Sequence, residues 1–472
     1  MPNAHIIGSG PNGLSAANRL ADAGWEVTVF EASSDVGGGT RSAELTQPGF
    51  IHDICAAIHP TGLASPYFST LGLDQFGLEW LHPKVPQAHP FLDGTAVALH
   101  RSIDETASQF SSSSEAAYRR LFTPLAENAS DLLTDLMAPP KFPKHPLRDF
   151  QFGIRVLTSA ESAARRLFDD EKARALLAGN AAHSVLPLDR FLTTQAIALM
   201  LMMLGHSHGW PVAKGGSQAI ARALKRRLES LGGTVRLNER VDSIDELEPA
   251  DAIVFDTRPA AMASIAGEHL PLRYRKRLNR FRHGPGVFKI DYALSEPIPW
   301  TSQLCAEAGT VHLGASLEEI VESESAMWHS RHPERPFVLC AQQSEADPSR
   351  APEGKATFWA YCHVPAGSTV DMTDPIEAQI ERFAPGFRDC VEARHTMNCE
   401  DFESYNPNYV GGDIVGGVAD WRQLLTRPVV RLRPHTTPNP KLFLCSASTP
   451  PGGGVHGMGG YWAAEAVLAD SR

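Results

Sequence analysis

The chain begins with a short apolar strand, His5-Ile6-Ile7, followed at once by a glycine turn. Residues 14–23 then place Leu14, Ala17 and Ala21 at helical spacing, and Gly24 is a natural stop for that helix. Residues 26–31 return to strand character. Strand, turn, helix and strand in this order make one βαβ half-unit, the start of a parallel sheet with right-handed crossovers. From about residue 102 to residue 204 the pattern turns helical and reads as an insertion, broken by the proline-rich Ala138-Pro139-Pro140-Lys141-Phe142-Pro143. A second α/β stretch starts at Gly215-Gly216-Ser217. Ser217 is placed to cap a helix that carries Ile220, Leu224, Leu228 and Leu231 and ends at Gly232-Gly233. Strands follow at residues 234–237 and 252–255. Residues 287–394 read as strands interleaved with helices, including Lys289-Ile290-Asp291-Tyr292-Ala293-Leu294 and the run around Phe358-Trp359-Ala360-Tyr361, and should form a second sheet. Residues 441–445 close the pattern with a buried strand and residues 457–469 with a helix. The chain has no internal repeat.

Length and composition narrow the class. With 472 residues, 43% hydrophobic and 21% charged, the chain is long enough for about three domain equivalents and has ordinary globular usage. Its net charge of -11 is spread along the sequence, which argues against nucleic acid as a partner. The seven cysteines (Cys55, Cys305, Cys340, Cys362, Cys390, Cys399 and Cys445) are scattered without a C-x-x-C pair, so neither a disulfide framework nor a redox dithiol is expected. A reducing compartment fits that usage. The N-terminus enters a strand without room for a cleavable signal, and a cytoplasmic protein is expected. The longest apolar stretch, residues 196–204 with Met200, Met202 and Met203, is about half of a bilayer span. It reads as a core helix first; lining an apolar substrate tunnel and dipping into a membrane surface are the other readings. His206-Ser207-His208 lacks further ligands at zinc-like spacing, so no metal is expected.

The turn after the first strand is Gly8-Ser9-Gly10-Pro11-Asn12-Gly13. Gly8 and Gly10 let the chain bend and approach a pyrophosphate, Gly13 lets helix pack on strand, and the helix that begins at Pro11 supplies N–H groups from Asn12 onward and a positive dipole. A bare glycine pattern proves little, since Gly452-Gly453-Gly454-Val455-His456-Gly457 fits the same template. The first match gains weight from its strand–turn–helix context and from Glu31, which ends the next strand where a carboxylate accepts a ribose 2'-OH and opposes a 2'-phosphate. The later match reads as a loop needing close backbone approach to a flat group.

After Glu31 comes Asp35-Val36-Gly37-Gly38-Gly39-Thr40-Arg41-Ser42, which resembles the second glycine motif of amine oxidases and phytoene desaturases. Further matches are Gly215-Gly216, Asn238-Glu239-Arg240-Val241, Asn406-Pro407-Asn408-Tyr409-Val410-Gly411-Gly412-Asp413 and Ser448-Thr449-Pro450-Pro451 leading into Gly457-Met458. Together they resemble phytoene-desaturase-like, amine-oxidase-like FAD-dependent oxidoreductases over nearly the whole chain, most of all the branch called pyridine nucleotide-disulphide oxidoreductase domain-containing protein 2. The resemblance implies an α/β, glutathione-reductase-like two-domain flavoprotein: a Rossmann-like FAD-binding domain, a second α+β substrate domain and a helical insertion. The FAD-binding domain is expected from residues 1–80, 210–283 and 401–472, and the substrate domain from residues 81–209, with a helical lid, and 284–400. It further implies that Glu31 binds the adenosine ribose, that Gly38, Gly39 and Arg41 lie along the diphosphate, that Val241 meets the adenine through its backbone, and that Gly457 and Met458 meet the flavin.

A helix starting near Gly457 would aim unpaired N–H groups and its positive end at the pyrimidine edge of a flavin, favouring hydride uptake. Gly286-Val287-Phe288-Lys289 resembles the amine-oxidase strand whose lysine holds a water near the flavin. Lys289 therefore reads either as a catalytic residue positioning such a water or as half of a solvated ion-pair face with Asp291. His456 is the candidate proton carrier in the C-terminal loop, and His52 and His59 read as structural. Tyr461-Trp462 does not place two facing rings as an amine cage. The expected activity is hydride transfer from a C–H bond of a largely apolar small molecule to FAD, as dehydrogenase, desaturase or oxidase. A redox-neutral flavin-dependent isomerase and a flavin-binding protein acting through partners are the alternatives.

Overall fold

A computed structural model of the chain describes residues 1–139 and 145–471. Five strands pair in parallel in the order Leu442–Leu444, Ala252–Phe255, Asn3–Ile7, Glu26–Phe30, Thr234–Arg236. Successive side chains leave a strand on opposite faces, and the apolar positions obey that rule. Ile6, Val27, Val29 and Val254 pack under helices Pro11–Asp22 and Met458–Asp470 together with Leu20, Ala463 and Val467. Ile7, Phe30, Ile253 and Phe255 meet Met262, Ala263 and Tyr274 of helices Pro259–Ile265 and Leu272–Leu278. The sheet is thus covered on both faces, as a doubly wound parallel sheet requires. Its strands come from the beginning, middle and end of the chain.

The second sheet has the order Val391–Met397, Gly286–Leu294, Ala356–Val364, Val338–Ala341, Ala308–Leu313, Val85–Pro90, Ala96–Leu99. Its pairs are antiparallel except the parallel pair of Ala308–Leu313 with Val85–Pro90. Two strands therefore come from well before residue 287, where the periodicity places the sheet to begin. Phe288, Ile290, Tyr292, Phe358 and Ala360 point into an apolar core with Ile376 and Ile380 of helix Thr373–Glu381. The opposite face carries Lys289, Asp291, Trp359 and Tyr361.

Helices from Ile103–Ala107 to Thr193–Ser207 form a layer over that sheet. The proline-rich break at residues 138–143 lies, beyond Pro139, outside the described residues. The Met-rich run belongs to helix Thr193–Ser207, where Leu199, Met202, Met203 and Leu204 are fully buried. Burial of each such side chain contributes about 1.5–3 kcal/mol, so these residues belong to the core. No described helix is long and apolar enough to cross a membrane.

Candidate active site

The two N-terminal glycine motifs lie against each other. The Gly37 N–H donates to the Ser9 carbonyl at 3.0 Å, and a Cβ on Gly38 would stand 3.3 Å from the Gly10 Cα. Glycine backbone thus faces glycine backbone where the two turns meet, the close approach that a diphosphate-binding turn needs. Glu31 is fixed beside the same turn: one carboxylate oxygen accepts from the Ser9 N–H (3.0 Å) and hydroxyl (2.6 Å), the other from the Ser33 N–H at 2.8 Å. Arg41 donates through Nε to the Gly38 carbonyl (3.1 Å) and through Nη2 to the Tyr405 carbonyl (3.2 Å), with its guanidinium 4.3 Å from the Tyr405 ring centroid. The Tyr405 hydroxyl also donates to Gly38 (2.6 Å), and the Tyr409 hydroxyl fills the place a Cβ on Gly39 would take. Val241 is buried beside Ile7 and Phe30.

The C-terminal turn joins the same place. Gly457 has φ +67, and helix Met458–Asp470 starts immediately after it. A Cβ on Gly459 would lie 3.1 Å from the Asn12 side-chain oxygen, and one on Gly460 would coincide with the Asn12 carbonyl. The two helix N-termini therefore touch, with glycine as the only residue that fits. The expectation of unpaired N–H groups here is corrected: Met458 N–H donates to His456 Nδ1 (3.1 Å) and Gly460 N–H to Asn12 Oδ1 (3.4 Å). The axial dipole of the helix is unaffected. Burial lowers the His456 pKa to about 4, against the backbone groups of Gly453 and Gly452, so the ring is neutral near pH 7 and spends its Nδ1 on shaping the loop.

Lys289 and Asp291 share one sheet face, as alternation requires, but that face is not solvated. The two side chains are 2% and 0% exposed and form an ion pair. His52 Nδ1 and His395 Nδ1 stand 3.6 and 3.7 Å from the same carboxylate, and its Oδ2 has no hydrogen-bond partner. Lys289 Nζ lies 5.6 Å from the Trp359 ring centroid. Burial brings the pKa of both His52 and His59 down to about 4; His52 bonds Thr46 (2.8 Å) and His59 bonds the Ser217 hydroxyl (2.7 Å). Ser217 does not cap its helix through its side chain. Its hydroxyl donates to the Ala56 carbonyl at 2.6 Å and its N–H to Asp53 at 2.7 Å.

One acidic and one basic group outside the sequence motifs also belong to this region. Asp256, directly after strand Ala252–Phe255, reaches the first glycine turn, where its Oδ2 accepts the Gly13 N–H at 2.9 Å. The rule that ligands bind past the carboxyl ends of parallel strands would have flagged it. Arg350 is wholly buried and donates to Asp53 at 2.8 Å and to the Ile51 carbonyl at 3.0 Å; no local motif announces it. Tyr461 and Trp462 meet each other edge to face at 76°, Tyr461 packs on Tyr67, and Trp462 donates to the Met137 carbonyl at 2.9 Å. His206 bonds Tyr118 at 2.7 Å. Among the described residues no three His, Cys, Asp or Glu side chains gather as a metal site.

A doubly wound sheet whose glycine turns, strand-end carboxylate and C-terminal helix meet at one edge has the arrangement of a dinucleotide-binding fold. The chain belongs to the flavin containing amine oxidoreductase family, whose model matches residues 12–467, and it is an FAD-dependent oxidoreductase. It is 25% identical to pyridine nucleotide-disulfide oxidoreductase domain-containing protein 2 of Mus musculus, across 100% of this chain and 94% of that protein. To the lycopene-forming phytoene desaturase of Pseudescherichia vulneris it is 24% identical, with 96% of each chain covered. In fold it matches an oxidoreductase from Methanosarcina mazei (TM-score 0.67, 16% identity, 99% and 100% covered). Wild-type putrescine oxidase bound to putrescine gives a TM-score of 0.63 at 18% identity, with 100% and 99% covered.

Proposed function

We propose that this enzyme removes hydride from a C–H bond of a largely apolar small molecule. When bound, FAD supplies the hydride acceptor. The observation that carries the reading is one continuous apolar cluster. The partly buried Val455 of the C-terminal loop, Tyr361 of the second sheet and Met200 of the helical layer form its wall, packed against a core that includes Met458, Trp359, Met202 and Met203. A substrate held along that wall would reach the C-terminal glycine loop without leaving apolar surroundings. The similarity to proteins named phytoene desaturase and 4,4'-diapolycopen-4-al dehydrogenase points the same way.

In this reading residues 1–80, 210–283 and 401–472 hold FAD. Gly8, Gly10, Pro11, Asn12, Gly13, Gly38, Gly39 and Arg41 receive the diphosphate, Glu31 the ribose, Val241 the adenine, and Gly457 and Met458 the flavin end. Lys289 is the side chain we assign to catalysis. Asp291 holds its ammonium in place, so it can position a water or pass a proton without moving through solvent. His456 serves the loop that carries Gly457. All seven cysteines are free, which suits a reducing, cytoplasmic setting.

The test is to purify the protein and screen apolar substrates under anaerobic conditions for bleaching of the yellow flavin absorbance. Substrates that bleach it support the reading; bleaching only by polar amines would overturn the apolar assignment. With such a substrate, Lys289→Met should slow flavin reduction or reoxidation by about 100-fold, the lower end for a positioned proton carrier. Unchanged rates in both half-reactions, measured by stopped flow, would remove Lys289 from the mechanism.

A further inference from the structure

Three glycines of the first turn face one carboxyl group. A Cβ on Gly8 would lie 3.3 Å from the Asp256 Cβ, one on Gly10 2.5 Å from Asp256 Oδ2, and one on Gly13 3.1 Å from both of those atoms. The glycines thus make room for Asp256 as well as for a ligand. Its Oδ2 accepts the Gly13 N–H at 2.9 Å, one of the N–H groups that a helix start offers to a phosphate. An anionic diphosphate entering this turn therefore meets a carboxyl group already in it.

Among the described residues no cation acts on that carboxyl. Glu31 faces it from the end of the second strand, the turn contributes the N–H groups of Gly13 and Gly10, and Cys445 lies beside it from the last strand. On its own segment, Arg258 turns toward Glu403, 3.5 Å away. Burial pushes the Asp256 pKa up to about 7, Glu31 adds to the rise, and the two N–H groups oppose it. In the free protein the group changes charge near neutrality. Two negative groups in one poorly solvated turn repel, and protonating the acid removes that repulsion.

We propose that Asp256 is a cofactor-positioning acid: FAD occupies the turn with this carboxyl neutral, and binding above neutral pH takes up one proton. The protonated oxygen supplies a donor in place of a second negative charge. The inference rests on the assignment of the first glycine turn to FAD. Nothing in it requires Asp256 to touch the substrate.

The experiment measures FAD affinity of the apoprotein from about pH 6 to about pH 9, by quenching of flavin fluorescence, in wild type, Asp256→Asn and Glu31→Gln. Wild type should weaken about tenfold per pH unit above neutrality, the signature of one linked proton, and Asp256→Asn should be flat. Titration calorimetry of the wild type in two buffers of different ionisation enthalpy should report uptake of one proton near pH 8, a readout that does not depend on any variant folding. A flat wild-type profile, no proton uptake, or a slope that persists in Asp256→Asn and vanishes in Glu31→Gln overturns the proposal. Absence of FAD binding at every pH would bring down the flavin site itself, a different failure from pH-independent binding.

Discussion

Changing Gly460 to alanine is expected to strip the protein of flavin and to lower its melting temperature by several degrees. Helices Pro11–Asp22 and Met458–Asp470 cross where both begin, and a Cβ at Gly460 would occupy the Asn12 carbonyl. The obstacle is backbone, which cannot swing aside as a side chain does. Prising the helices apart should cost about 3 kcal/mol, the upper part of the usual range for overpacking. It would also pull the C-terminal loop away from the first glycine turn, so cofactor retention should fall with stability. Gly153, in helix Pro146–Val156, has nothing within 4 Å of a Cβ. Gly153→Ala should therefore leave flavin content unchanged and add up to about 1 kcal/mol from helix propensity. Thermal melts followed by flavin release distinguish the two; full retention in Gly460→Ala would refute the described packing.

Arg350→Met is expected to destabilise the fold by about 3–5 kcal/mol, because it leaves a buried carboxylate without its counter-charge. Arg350 and Asp53 are both 0% exposed. Asp53 also accepts from the Ser42 hydroxyl (2.8 Å) and the Ser217 N–H (2.7 Å), so the pair ties together three segments that are far apart in the chain. Burial pushes the Asp53 carboxyl up, but Arg350 and the donated hydrogen bonds hold it below the ordinary carboxylate range. A lowered folded pKa means the pair stabilises above that ordinary range and loses its contribution as pH falls through the folded value. The penalty of Arg350→Met should accordingly shrink in acid, where Asp53 can take a proton. Adding Asp53→Asn should recover part of the loss at neutral pH. Denaturant unfolding of the two single variants and the double variant measures this, and a loss under about 1 kcal/mol would show the pair to be energetically idle.

What could be read without the structure was mostly local. His5-Ile6-Ile7, the glycine turn, the helix after Pro11 and the strand ending at Glu31 are neighbours in sequence, and period, glycine and proline mark each of them. The strand Val85–Pro90 was not legible, since Pro86, His89 and Pro90 spoil the usual strand pattern. Its ladders with Ala96–Leu99 and, far downstream, with Ala308–Leu313 make it a strand. Alternation put Lys289 and Asp291 on one face, but whether that face meets water depends on helices and loops packed over it from elsewhere in the chain. Ser217 has the right residue type and place for a cap, yet Ala56, Asp53 and His59 claim its polar groups. Asp256 likewise owes its place to the glycines opposite it, which lie more than two hundred residues away in sequence.

The most direct measurement is the amount of FAD bound per polypeptide, taken from the visible spectrum of the purified protein and the flavin released on denaturation. One FAD per chain is expected in the wild type, with loss in Gly460→Ala and retention in Gly153→Ala. A protein that stays colourless after incubation with excess FAD would contradict the convergence of the three glycine segments on a flavin.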